Sequence, residues 1–453
     1  MSSSSYKPVP RIREPRLIGS WSDFKSDRLG LVSRVARECG ELGEFHVGPV
    51  SMYFVTGANI LHQMLVEQPD KFTTQPFMEN FYPVLGRTTL PGIDGAYHRR
   101  IRRIMAPAFQ PKRMVGYSEH MVAFADELQR SLQDGAEIEV VDQMQNLALK
   151  ILAKSVFFMD FNEGKRFFES IHIASHHIAD RATNPLQVPL FVPTSNNRRV
   201  QESISYLRSR ARALLTEGRQ RDMDKGDVLS MLLVAKDEDG SGLTEQELLD
   251  QILTLYIAGH ETTANLLSWT FMLLGQHPEI EARLHAELDE VLGGRPPTYE
   301  DAARLPYTLK VIKESLRLYP VAVFFGRAPI EDLIIEGYRF RKGQICLLSP
   351  YVIHRNPELF PEPEHFDPER FTPEKEKKLP RNTYIPFGNG PHVCIGQFFA
   401  LLEAQLVLAH LCQNLSISLL PGQDIRKVTL ATLTPSPFHI KVTRRRPVLA
   451  KAS

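Results

Sequence analysis

The chain has 453 residues, 43% hydrophobic and 24% charged, with a formal net charge of +1; this is an ordinary soluble composition that can bury a large core. The near-zero charge removes any global electrostatic case for nucleic acid or an acidic surface as partner. Cys39, Cys346, Cys394 and Cys412 lie too far apart for a zinc-ligand pattern or a disulfide framework, which fits a reducing compartment.

Residues 1–15, MSSSSYKPVPRIREP, form a proline-rich lead-in without the apolar segment of a signal peptide or membrane anchor, so a cytoplasmic protein is expected. Hydrophobic periodicity predicts helices over 23–40, 60–68, 98–106 and 117–133, and strands over 44–47 and 52–56. His98 and Arg102 stand four apart on one helical face, in a turn crowded by Arg99, Arg100 and Arg103. His172 and His176, with Glu169 nearby, imitate metal-ligand spacing without a zinc-protease signature and read as a surface pair. The segment 184–197, NPLQVPLFVPTSNN, carries three prolines and cannot be a regular helix. It reads as a loop between two helices, either a plain surface connection or, from its apolar residues, a lid over a hydrophobic pocket.

A long helix is predicted to start at the capping box Thr244/Glu247 and run to about Gln276. Its middle, Ala258-Gly259-His260-Glu261-Thr262-Thr263, inserts a glycine costing ~1 kcal/mol against alanine and several polar groups into an apolar stretch. Taken alone, this reads as a helix-helix contact at Gly259 with satisfied polar neighbours. His260 and Glu261 also make the stretch a poor membrane span. Downstream, Glu314 and Arg317 share a helical face, strands are predicted over 333–335 and 338–340, and a proline-rich meander fills 356–368. A terminal strand over 439–443 precedes a basic tail, 444–453. Strands gather at the two ends with helices between and no internal repeat is visible, which predicts a mainly α (α+β) architecture. We expect one domain across 1–453.

The most informative run is Phe387-Gly388-Asn389-Gly390-Pro391-His392-Val393-Cys394-Ile395-Gly396. Its glycines permit tight turns and close approach to a bound group, and the apolar run 398–402 after it reads as a buried helix. Cys394 thus lies near a helix N-terminus, where the dipole and free N–H groups favour a thiolate able to ligate a metal or attack as a nucleophile.

This loop resembles the haem-binding loop of the cytochromes P-450, whose cysteine is the axial ligand of haem iron. Ala258-Gly259 through Thr262 resembles that family's distal-helix motif. The order Glu314-x-x-Arg317, Pro368-Glu369-Arg370-Phe371, cysteine loop is similar to the family's C-terminal half. The resemblance implies a helical prism with a small β region, holding one haem b between the long helix and the helix after Cys394. It implies that Cys394 and Phe387 form the thiolate loop and that Glu261 and Thr262 relay protons. A buried structural triad of Glu314, Arg317 and Arg370 is likewise implied. His98, Arg102, Arg327 and His392 would bind the propionates; many members have tryptophan at the first position and most have arginine at the last, so charge at the two histidines is expected to vary with pH. The implied substrate pocket comprises Phe77, Phe81, Tyr82, Leu253, Ile257, Ala258, Val321, Phe324 and Leu433.

The activity so implied is that of a soluble, bacterial-type monooxygenase. It would insert one atom of O2 into a hydrophobic small molecule, a fatty acid, terpenoid or macrocyclic metabolite. Alternatives are a peroxide-driven peroxygenase, against which Glu261-Thr262 speaks, and a non-catalytic haem sensor or carrier, which needs no proton relay. A helical binding protein without haem is a third. No flavin or iron-sulfur motif occurs within the 453 residues. A separate ferredoxin or flavodoxin-type donor with its reductase is therefore expected, docking on a basic rim of Arg99, Arg100, Arg103, Lys112, Arg113 and Arg355. Neither nucleic acid nor a membrane anchor is expected.

Overall fold

The computed structural model describes residues 6–15, 18–158, 164–183, 188–220, 226–429 and 431–445. Residues 1–5 of the lead-in, 184–187 of the proline-rich segment and 446–453 of the basic tail lie outside the described residues. The longer helices are α1 (Arg28–Cys39), α2 (Gly95–Met105), α3 (Pro111–Ser131), α4 (Val140–Phe157), α5 (Gly164–Thr183) and α6 (Ser195–Arg219). They continue as α7 (Glu245–Gln276), α8 (Pro278–Leu292), α9 (Pro306–Leu318) and α10 (Gln397–Cys412). The fold is mainly α with small sheets, as expected. No helix among the described residues is long and apolar enough to cross a membrane.

The predicted helix over 23–40 is two helices, because Asp27 leaves the helical region and its carboxylate caps Gly30 N–H at 2.9 Å. Over 60–68 the chain forms a short α-helix, Ala58–His62, that runs into a π-turn, Gln63–Glu67. The proline-rich segment ends earlier than expected, since Thr194 caps Asn197 N–H and starts α6 at Ser195. Before it, Phe191 is 82% exposed while Leu190 packs on the core.

The strands are β1 (Leu42–Val47), β2 (Val50–Val55), β3 (Phe72–Thr73), β4 (Glu137–Glu139), β5 (Phe325–Pro329), β6 (Leu333–Ile335), β7 (Tyr338–Phe340) and β8 (Ile345–Leu348). The last are β9 (Leu415–Leu419), β10 (Lys427–Thr429), β11 (Leu433–Pro435) and β12 (His439–Arg444). A five-stranded sheet has the order β1-β2-β8-β5-β3. Its β2–β8 pair is parallel, Met52 opposite Ile345, which joins the two ends of the chain. β10 and β11 form a hairpin, Lys427 opposite Pro435.

α7 is the axis of the molecule. The capping box forms as predicted: Glu247 N–H bonds Thr244 Oγ1 at 3.2 Å and Thr244 N–H bonds Glu247 Oε2 at 2.6 Å. Buried polar groups along α7 find partners in the segment before α2: Asp250 accepts from Thr88 N–H and Oγ1, Gln251 donates to Thr88 O and accepts from Leu90 N–H, and Thr254 bonds Thr89. Burial of such groups is costly unless they are paired. Here the pairing fixes the segment that carries Phe81 and Tyr82.

Candidate functional site

α7 is buried from Glu247 to Tyr256 and from Thr263 to Leu274, yet Ala258 is exposed and Ile257, Glu261 and Thr262 are half-buried. Open space therefore reaches the middle of an otherwise enclosed helix. Phe324, Phe387 and Arg327 are half-buried and Cys394 is open, at and before the start of α10, which packs on α7. These residues outline a recess.

The loop that ends the recess is held on several sides. Cys394 N–H donates to Phe387 O at 2.9 Å. Gly388 and Gly390 adopt φ of +75° and +69°, and a Cβ at Gly390 would stand 1.7 Å from Leu65 O, so only glycine fits this approach to the π-turn. Ile385 N–H donates to His354 Nε2 at 2.9 Å. Burial beside Arg317 and Arg355 pushes His354 down to about 3, so its ring is a neutral acceptor. His354 carries no motif, and its role was not legible in sequence. Its native pKa lies below the ordinary 6.5, so the stability it contributes is complete above pH 6.5 and declines as pH falls toward 3, by at most ~1.4 kcal/mol per pH unit. Urea midpoints at pH 7, 6 and 5 should fall in the wild type, and the gap to His354→Asn should narrow over the same range.

Cys394 is open to the recess, yet the protein packed around it partly desolvates the thiol and pushes it up, while Gly396 N–H and Arg102 pull it down. Arg102 donates to Val393 O at 2.7 Å. His98 stacks on His392 with ring centroids 4.0 Å apart. Burial, with His392, Arg102 and Arg327 nearby, pushes His98 down to about 4, so in this structure it does not titrate near neutrality as expected. Burial raises the Asp94 carboxyl, but hydrogen bonds from His392 and Thr73 outweigh it and hold the group below the usual carboxylate range. Asp94, which carried no sequence signal, is 3.4 Å from His392 Nε2.

Desolvation holds Arg327 down to about 10, and its side chain donates to its neighbour's carbonyl, Gly326 O, at 2.8 Å. Among the described residues no carboxylate lies within ion-pair distance of it. A half-buried guanidinium without an ion pair, a second at Arg102, two imidazoles and one thiol on a recess with apolar walls fit haem: the sulfur as iron ligand and the cations for the propionates.

Glu314, Arg317 and Arg370 come together. Arg317 Nε and Nη2 bond the two Glu314 oxygens at 2.7 and 2.8 Å, and Arg370 Nε lies 3.3 Å from Glu314 Oε1. The remaining Arg317 donors meet His354 O, Pro363 O and His365 O. One side chain thus satisfies two carbonyls of the proline-rich meander and that of His354 just before it.

Other expected residues are placed differently. Gly259 does not open onto the recess: a Cβ there would stand 2.7 Å from Leu152 Cδ1 of α4, so its missing side chain admits a neighbouring helix. Tyr82, Leu253, Val321 and Leu433 are buried behind the recess wall; Tyr82 Oη bonds Gly92 O, and Leu433 N–H bonds Val321 O. Phe77 lies flat on Gly326, where a Cβ would come within 2.0 Å of its ring. Phe81, Ile257, Ala258 and Phe324 keep open surface. Glu261 and Thr262 diverge: Thr262 Oγ1 donates to Ala258 O at 2.6 Å, whereas Glu261 accepts from Thr432.

The basic rim is largely neutralised. Arg99 pairs with Asp70, Arg100 with Glu247 and Asp237, Arg103 with Asp237 and Glu238, and Arg355 with Glu364. Lys112 is exposed, and Arg113 is engaged. Sequence alone could not reveal these acids, most of which lie well over 100 positions away. His172 and His176 stand exposed on α5, ring centroids 4.9 Å apart.

A sequence model of the family described as cytochrome P-450 matches residues 13–442. The chain is 36% identical to "Cyclooctatin synthase" of Streptomyces melanosporofaciens, over 88% of each chain. It is 33% identical to "Pentalenene oxygenase" of Streptomyces avermitilis, over 90% of this chain and 91% of that one. Among solved structures it is similar to the haem domain of cytochrome P450DA, with a TM-score of 0.90, 27% identity and coverage of 98% and 99%.

Proposed function

The chain belongs to the cytochrome P-450 family and is a haem-dependent monooxygenase, and from that premise we propose that it oxygenates an apolar, ring-containing molecule of the terpenoid class. The observation that carries this reading is the recess: Phe81, Ile257, Ala258 and Phe324 offer it carbon surface, and Thr262 is the polar group beside Ala258. Sites of this kind select apolar ligands and orient them with few polar contacts. The names of the two Streptomyces relatives support the same substrate class.

Bound haem supplies the redox chemistry, by which O2, two electrons and two protons yield one oxygen atom inserted at a C–H bond and one water. Cys394 Sγ would ligate its iron, with the loop held by the Cys394 N–H bond to Phe387 O, and Arg102, Arg327, His98 and His392 would hold the propionates. Thr262 holds a proton at Oγ1 on the recess side, and Glu261 moves protons in from the solvent side. We assign electron supply to a separate ferredoxin or flavodoxin-type protein with its reductase, and place the enzyme in the cytoplasm as one domain over 1–453. The Glu261-Thr262 pair weighs against a peroxygenase or a non-catalytic carrier.

The reading is tested by titrating the purified haem-loaded protein with pentalenene, lauric acid and a 14-membered macrolactone. Pentalenene should displace water from the iron, seen as a shift of the main haem absorption band, and should give a hydroxylated product with a surrogate ferredoxin and its reductase. A shift with lauric acid or the macrolactone alone overturns the substrate class, and a shift without product overturns the enzymatic reading.

A further inference from the structure

Glu261, Asn265 and Trp269 are spaced four apart and form one stripe along α7, and all three grip the β10–β11 hairpin. Thr432 Oγ1 donates to Glu261 Oε1 at 2.5 Å. Asn265 Nδ2 donates to Thr432 Oγ1 at 3.1 Å and to Thr434 Oγ1 at 2.9 Å. Trp269 Nε1 donates to Leu433 O at 2.9 Å, with its ring stacked on Tyr319 at 4.0 Å. Asn265 and Trp269 are wholly enclosed, so the hairpin is fastened at its base by groups that cannot turn to water.

Glu261 is different, because it stands at the half-open end of this stripe. A hydroxyl has one proton to give. With Asn265 donating to the Thr432 oxygen, that proton goes to the carboxylate, as a short charge-assisted bond. Thr262 Oγ1 is turned to Ala258 O and not to Glu261, so the direction of the carboxylate is set by a residue 171 positions away. Without that bond the flexible side chain is free to turn toward solvent and away from the recess.

We propose that Thr432 is a positioning residue for proton delivery: its hydroxyl holds the Glu261 carboxylate at the recess edge and so couples electron use to product formation. This rests on the reading of Glu261 as the group that brings protons in. In a coupled turnover, O2, two electrons and two protons give hydroxylated product and water. In an uncoupled one, the same O2, electrons and protons leave as hydrogen peroxide.

The test uses the haem-loaded enzyme, the surrogate ferredoxin system and the compound of the above panel with the largest band shift. Thr432→Val keeps the side-chain shape and removes the donor. Product kcat should fall about tenfold with a matching rise in peroxide, while KM stays within about twofold and the absorption of the reduced carbon monoxide complex is unchanged. Thr432→Ser should restore coupling, and Thr432→Val should add nothing to Glu261→Gln. If Glu261→Gln is impaired but Thr432→Val couples normally, the proposal fails and the role of Glu261 stands. Failure also follows if Thr432→Val lowers coupling further in the Glu261→Gln background, or changes KM alone, since the hydroxyl then acts by shaping the pocket. Normal coupling in Glu261→Gln removes the underlying reading and the proposal together.

Discussion

Cys394→Ala should eliminate the red-shifted absorption band of the reduced carbon monoxide complex, and Cys394→Ser should do the same although it preserves size. That band reports a thiolate on iron, and no other cysteine can supply one. Cys346 is enclosed in β8 and burial pushes its thiol far above the usual range. Cys412 is also buried, at the opposite end of α10, roughly 24 Å away for a 16-residue helix. Cys39 is the last residue of α1, where it packs against Gly43 of β1. The loop around Cys394 has no freedom to bring a substitute, because Gly390 is pressed on Leu65 O and Cys394 N–H is bonded to Phe387 O. A variant that kept the band would place the ligand elsewhere and dismantle the site described above.

The second large effect is expected at Glu314 and Arg317. Removing one partner of a buried ion pair leaves the other uncompensated, at a cost of ~3–5 kcal/mol. Arg317→Ala does more than this: it strands the Glu314 carboxylate and deprives three carbonyls, His354 O and, in the meander, Pro363 O and His365 O, of their donor. Glu314→Ala leaves Arg317 charged and fully enclosed, and also strips Asp367 N–H of its acceptor. Both variants should yield little haem-loaded protein and a lowered melting temperature. Arg370→Ala should be milder, since Arg370 touches Glu314 at 3.3 Å from the rim of the cluster. Normal haem content in both core variants would remove the triad from the architecture.

Local chemistry made parts of this molecule legible. Thr244 and Glu247 are three residues apart and cap each other wherever a helix starts, so the beginning of α7 could be read directly. Glu314 and Arg317 share a turn for the same reason, and the glycines around Cys394 announce a backbone that must bend. Long-range partners were not legible. Arg100 looked like a free surface cation until the fold brought Glu247 and Asp237 beside it. That Gly259 marks a helix-helix contact could be read, but not that Leu152 of α4 is what fills it. Glu261 looked like the partner of its neighbour Thr262, but adjacent residues on a helix point about 100° apart, and the hairpin takes the carboxylate. Position along the chain says which groups are near in sequence; only topology says which of several distant acids or hydroxyls arrives.

The bond from Arg102 to Val393 joins residues 291 positions apart, and that span carries a consequence for how the protein is born. At ~5–20 residues per second, roughly 15–60 s of synthesis separate α2 from the loop it must meet. During that interval the histidine and arginine face of α2 has emerged without its counterpart, and Glu261 waits likewise for Thr432. The walls of the recess are therefore completed only near the end of translation. A growing chain shorter than 394 residues lacks the cysteine loop, so the prosthetic group is expected to enter a nearly finished molecule.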